Sequence, residues 1–120
     1  MRALITAVLV LGVSRAAAAQ PASSTLVIDV SDATGAALAG VAIAVINQST
    51  AVERQASTSD SGNAAVPLLP AGDYVVIATR AGFHRTSVEP FHLEAGVTRT
   101  LALTLQPGGP HEFVRVTADF

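Results

Sequence analysis

The residues that could do chemistry are concentrated in the second half of the chain. The stretch LPAGDYVVIATRAGF, Leu69 to Phe83, gathers a proline, two glycines, Asp73, Tyr74, Arg80 and Phe83 into fifteen residues, a mixture that suits a binding loop or a well-made hairpin. Just beyond it, His84, His92 and His111 with Glu89 or Glu94 offer the nitrogen and oxygen donors of a transition-metal site. Such a site needs ligands that converge at a recognisable spacing, whereas these fall along one strand-like stretch and in the tail. Solvated polar side chains are the expectation, and no metal or cofactor is assigned.

The other chemical readings are weaker still. Asp60, Ser61, Gly62 and Asn63 resemble a calcium loop in composition only, since the spaced acidic ligands and terminal glutamate of an EF-hand are missing. No serine sits in a glycine-flanked elbow, so a hydrolase triad has no support and no catalytic residue is named. Asn47, Gln48 and Ser49 match a glycosylation sequon, which would be idle in a chain exported by a bacterium. Open sugar sites rely on aromatic faces, and this chain has one tyrosine, four phenylalanines and no tryptophan. Tyr74 and Phe83 are expected in the core, because aromatics supply the largest buried areas in a small domain.

The elements that must position these residues begin after residue 19. MRALITAVLVLGVSRAAAAQ has the basic start, the short apolar run and the small residues of a cleaved secretory signal, with cleavage expected before Gln20. The apolar run, Ala3 to Val13, is shorter than the roughly 20 residues of a membrane-spanning helix. Export to the periplasm, the outer membrane or the cell exterior follows as an expectation. With no cysteine in the chain, no disulfide staples the exported domain, so its stability must come from its core. Loss of Arg2 and Arg15 with the leader leaves five scattered arginines against nine acidic residues, a net charge of −4. That balance excludes a nucleic-acid partner, which needs clustered cations to displace phosphate counterions.

From Thr25 onward the apolar residues alternate with a period of two. Leu26, Ile28 and Val30 share one face, as do Val41, Ile43 and Val45, whose opposite face carries Ala42 and Ala44 and looks tightly covered. Val52 to Thr58 reads as a polar strand near an edge, and Ala64 and Val66 resume the alternation after the turn at Asp60–Asn63. Pro70 to Asp73 form the next turn, and Gly72→Val is expected to destabilise if that glycine takes positive φ. Tyr74, Val76 and Ala78 then run through a central strand, which both faces' apolar content favours. In His84 to Leu93, Pro90 removes a ladder donor and marks an edge strand or a bulge. Leu101, Leu103 and Leu105 form the last inward row. Seven short strands at such spacing predict an all-β, antiparallel, Ig-like (prealbumin-like) sandwich over residues 24–106.

The run SDATGAALAGVAIAV from Ser31, together with DSGNAAVPLLPAGDYVVIATRAGF from Asp60, resembles the carboxypeptidase regulatory-like domain, a transthyretin-like, carbohydrate-binding-like sandwich. The markers are Asp32 and Gly35, Asp60 and Gly62, then Leu69, Gly72 and Tyr74 in register, and finally Gly82 with Phe83. Ala64 departs from the pattern, which more often places a large aromatic there. The resemblance implies a non-enzymatic accessory domain whose partner is a protein of the cell envelope; in bacteria such domains often precede TonB-dependent outer-membrane receptors. Pro107 to Pro110 read as a linker, and Val114, Arg115, Val116, Thr117 and Ala118 look like the extended segment such receptors offer to TonB, or else like a frayed tail or an extra edge strand. The chain is thus expected to be an exported interaction or spacer module. Its alternatives are the N-terminal fragment of a receptor and a carbohydrate-binding module.

Overall fold

A computed structural model of the chain describes Gly12 and residues 22–109 and 112–120. The expected leader and its cleavage point lie outside the described residues, as do Pro110 and His111. Eight strands follow in order: β1 (Ser24–Asp32), β2 (Ala42–Asn47), β3 (Glu53–Ser57), β4 (Asn63–Leu69), β5 (Gly72–Thr79), β6 (Arg85–Leu93), β7 (Thr98–Leu105) and β8 (Phe113–Val116). They form two sheets, one in the order β4-β1-β7 and the other β3-β2-β5-β6-β8. The alternation read along the sequence is the alternation of burial: Leu26, Ile28 and Val30 are buried, as are Val41, Ile43, Val45, Tyr74, Val76, Ala78, Leu101, Leu103 and Leu105. Each aliphatic side chain moved from water into this shared layer contributes about 1.5 to 3 kcal/mol, which is the stabilisation available to a domain without disulfides.

Two features correct the expected topology. The sheets are mixed rather than antiparallel, because β1 runs parallel to β7 and β6 parallel to β8. The eighth strand arises from the tail, which adds to the free side of β6. The remaining placements follow the local chemistry. β3, polar and exposed along most of its length, lies at a sheet edge, and β5 occupies the centre of the five-stranded sheet.

Both prolines within strands sit at irregularities. Tyr74 faces Phe91 and Val76 faces Val88, so β6 carries one extra residue across from β5, and Pro90 lies in that bulge. β6 is therefore interior, but β8 accompanies it only from Arg85 to Val88, and the missing donor of Pro90 falls beyond that reach. On β4, one extra residue opposes β1 between Val66 and Leu69. The residue that absorbs it is Leu68, whose φ of 59° is left-handed and whose side chain is 65% exposed.

Candidate functional site

The stretch Leu69 to Phe83 is built as a shape. Leu69 closes β4 with its side chain buried, and Tyr74, Val76 and Ala78 point into the core from β5. The Tyr74 hydroxyl donates to the Pro70 carbonyl, which ties the ring to the turn that precedes it. Such a bond serves a buried phenol that would otherwise lose its water. Gly72 is not the left-handed residue of this turn: at φ 159° it is close to extended and opens β5. The left-handed position lies earlier, at Leu68, where no glycine marks it in the sequence.

Phe83 is also placed differently from the expectation. It is half-buried against the rim of the core, with the Arg80 guanidinium 5.5 Å from its ring centroid. The phenylalanine that reaches the interior is Phe91, at 8% exposure. Asp73 lies 2.9 Å from Nδ1 of His92, and both side chains stay exposed, so the pair is worth little to stability.

The turns hold the marker glycines. Gly35, Gly62 and Gly82 have φ values of 87°, 78° and 87°. Gly62 is constrained further, since a Cβ there would stand 2.6 Å from the Val30 carbonyl oxygen. Asp60 lies in the same turn, whose closing bond runs from the Gly62 amide to the Ser59 carbonyl at 2.8 Å. Asp32 folds its carboxylate over the first turn, where it accepts from the Thr34 hydroxyl (2.6 Å), the Thr34 amide (2.8 Å) and the Ala36 amide (3.0 Å). The Thr34 hydroxyl bond, aided by the backbone amides, holds that carboxyl below the ordinary aspartate range.

The candidate metal ligands do not converge. Nε2 of His84 meets Oε2 of Glu112 at 3.0 Å, and its Nδ1 lies 3.1 Å from the Gly109 carbonyl oxygen. His92 pairs with Asp73 on the other end of β6. Among the described residues, no group of three or more histidines and carboxylates gathers. The sequon asparagine is likewise committed: Asn47 is buried, and its Oδ1 accepts from the Ser49 and Thr50 amides at 2.9 and 3.0 Å. A cavity of about 290 Å³ adjoins this turn and is lined in part by Asn47, Arg54 and Tyr74. Tyr74 offers it no stacking platform, being only 2% exposed.

The tail is ordered against the sandwich. Phe113, Val114, Arg115 and Val116 pair with Arg85, Thr86, Ser87 and Val88. Val116 and Ala118 pack on the core, while Thr117 lies just beyond the end of β8. The Ala102 amide of β7 donates to the Asp119 carbonyl at 3.0 Å, so the tail spans from one sheet to the other. Phe120 meets Phe91 edge to face at 5.2 Å between centroids. The segment before β8 is seated as closely: a Cβ on Gly108 would fall 1.8 Å from Cε1 of His84.

Several residues that matter here carry no local signal. Leu38 is buried although it lies in a loop, and the Thr58 hydroxyl donates to its carbonyl at 2.6 Å while accepting from the Val41 amide at 2.9 Å. The face of β2 that carries Ala42 and Ala44 is open rather than covered, because no element lies over the outer side of the five-stranded sheet among the described residues. Arg85, at the edge of that face, stacks on Phe113 at 5.0 Å, and its Nε is buried without a hydrogen-bond partner.

Comparison with known proteins follows this geometry. A family model for the carboxypeptidase regulatory-like domain matches residues 25–106, which leaves β8 outside the match. The chain has no match among curated proteins. Among solved structures it is similar to the Bacillus anthracis TIE protein, at 26% identity over 72% of this chain and 17% of that one, with a TM-score of 0.62. It is also similar to GBS52, the minor pilin of Streptococcus agalactiae, at 19% identity over 77% of this chain and 48% of that one, with a TM-score of 0.57. A Bacteroides uniformis protein described as carbohydrate binding gives 19% identity over 73% of this chain and 43% of that one, at a TM-score of 0.58. The chain spans less than half the length of each of these proteins, and the last two likenesses concern the fold alone. Strand pattern, sandwich architecture and family match agree over the same residues: the chain belongs to the carboxypeptidase regulatory-like domain family.

Proposed function

We propose that this chain is an exported, non-enzymatic sandwich that serves the bacterial cell envelope as an interaction or spacer module. The observation that carries the reading is the dispersal of the chemically capable groups among the described residues. His84 and His92 sit in separate pairs, Asn47 and Asp32 cap turns, and Tyr74 is committed to the core. A reacting centre needs groups held within hydrogen-bond reach of one another and of a substrate, and these are not. The signal-like first nineteen residues support export, and the fold shared with a minor pilin suits a module of the cell surface. Expression in a Gram-negative host, with fractionation, mass determination of the N-terminus and cross-linking in the envelope, tests the reading. It expects an exported chain that begins at Gln20 and cross-links to envelope protein. A cytoplasmic chain that still begins at Met1 contradicts it.

A second reading, the N-terminal piece of a TonB-dependent receptor, is favoured by one feature. Val114 to Val116 is already extended and forms the edge of its sheet, where a further strand can add. Val116→Pro removes a donor from that segment. Loss of TonB affinity in a variant whose sandwich still folds supports this reading; unchanged affinity, or none in the parent protein, counts against it. The carbohydrate reading expects specific binding on a glycan array, and the burial of Tyr74 argues for a blank result.

A further inference from the structure

The outer face of the five-stranded sheet combines a small-residue floor with unpaired cations. Ala42, Ala44 and Ile46 of β2 and Ile77 of β5 make a shallow floor of about 450 Å³, which runs to Thr79 and Arg85 on one side and is edged by Glu53 and Gln55 of β3 on the other. Thr79 and Arg85 continue into a concavity of about 560 Å³ completed by Gly40, Arg80, Ala81 and Phe83. No carboxylate lines that concavity. The guanidiniums of Arg80 and Arg85 lie 5.5 and 5.0 Å from the rings of Phe83 and Phe113, and among the described residues neither has a carboxylate within 4.0 Å. Among the described residues the buried Nε of Arg85 has no hydrogen-bond partner. A buried donor left unmatched is costly, and a planar guanidinium held by an aromatic face is pre-oriented for a planar oxyanion. In a chain of formal net charge −2, two unpaired arginines in one concavity form a local exception.

We infer that this concavity seats the carboxylate of an acidic residue in an extended peptide segment, whose neighbouring small aliphatic side chains lie across Ala44, Ile46 and Ile77. The inference rests on the interaction-module reading and supplies the chemistry of its partner. Contiguity favours a peptide, since the cationic concavity and the aliphatic floor share Thr79 and Arg85. A saccharide would need an aromatic platform, but the floor bears none and Arg80 stacks on Phe83. A small inorganic anion would leave the aliphatic floor unused.

The test titrates isotope-labelled protein with a capped Ala-Val-Ala-Glu-Ala-Val-Ala peptide, its glutamine counterpart and oligogalacturonate, and follows backbone amide shifts by NMR. The glutamate peptide is expected to give saturable shifts from Thr79 to Arg85 and along β2. Replacing its glutamate by glutamine, or making Arg80→Gln in the protein, is expected to weaken binding by about tenfold, the scale of one charge-assisted contact. The peptide substitution needs no altered protein, so misfolding cannot explain its effect; Arg85→Gln adds a third comparison if its melting temperature is unchanged. Equal binding of the two peptides, absence of saturable shifts at these amides, or saturation by oligogalacturonate alone overturns the inference. Envelope cross-links that persist in Arg80→Gln, with no peptide binding in the parent protein, reject this site while leaving the module reading intact; failure of export rejects the module reading itself.

Discussion

Single residues in this protein are informative where geometry leaves one choice. At Gly62, φ of 78° and a close approach to the Val30 carbonyl both exclude a side chain. Gly62→Ala is expected to destabilise by about 2 to 4 kcal/mol, combining left-handed strain with displacement of β1. Gly72→Ala is expected to cost less, about 1 kcal/mol, since its φ of 159°, though positive, is nearly extended and its nearest neighbour would be Asn47 Nδ2 at 3.4 Å. Thermal or urea denaturation of the two variants checks the contrast. Asp32 supplies a pH signature. Its carboxyl is held below the ordinary range chiefly by the Thr34 hydroxyl, so its contribution is present above the pKa of an unfolded aspartate and fades as pH falls through the lowered native value. Asp32 should therefore titrate at lower pH in the native protein than in denaturant, by carboxylate NMR, and Thr34→Ala should raise the native value. Asp60 and Gly62 were legible as a turn because their side-chain chemistry is local. The left-handed Leu68 was not, because the bulge that demands it arises from pairing with β1.

At the scale of elements, alternation revealed most of the strands from β1 to β7, since a period of two follows directly from burial of one face; β3, without a buried face, was legible only as a polar stretch near an edge. Partner and direction are another matter. That β7 runs parallel to β1, and β8 to β6, depends on how distant segments cross between sheets, which no local pattern encodes. The same reasoning explains Ala42 and Ala44: small residues suit a covered face, but whether a neighbour arrives is decided elsewhere in the chain. Loops joining the sheets also carry structure. Thr58 links the segment before β2 to the end of β3 through two hydrogen bonds, to Leu38 and Val41. Thr58→Val keeps the volume but strands a buried carbonyl and a buried amide, and is expected to destabilise by about 1 to 3 kcal/mol. Thr58→Ser should retain most of that stability. Equal melting temperatures for the two variants would count against the role assigned to the hydroxyl.

For the whole molecule, the candidate chemistry resolved into architecture. His84 steadies the tail, His92 pairs with Asp73, and the stretch from Leu69 to Phe83 builds a strand and its turns. Among the surfaces open to contact are the outer face of the five-stranded sheet and the edge made by the chain's own last strand. The tail was legible as extended chain, yet its dock was not, because the edge of β6 and the ring of Phe91 are assembled from residues far from it. The central claim is that this tail completes the sandwich, with β8 as its eighth strand. Hydrogen exchange of the intact protein, resolved at the backbone amides of Phe113 to Val116, tests it most directly. The account predicts slowed exchange there, reduced only modestly in Glu112→Ala, because the Glu112 side chain is largely exposed and strand pairing and core contacts hold the tail as well. Exchange at unstructured rates throughout Phe113 to Val116, with β1 to β7 still protected, would contradict it.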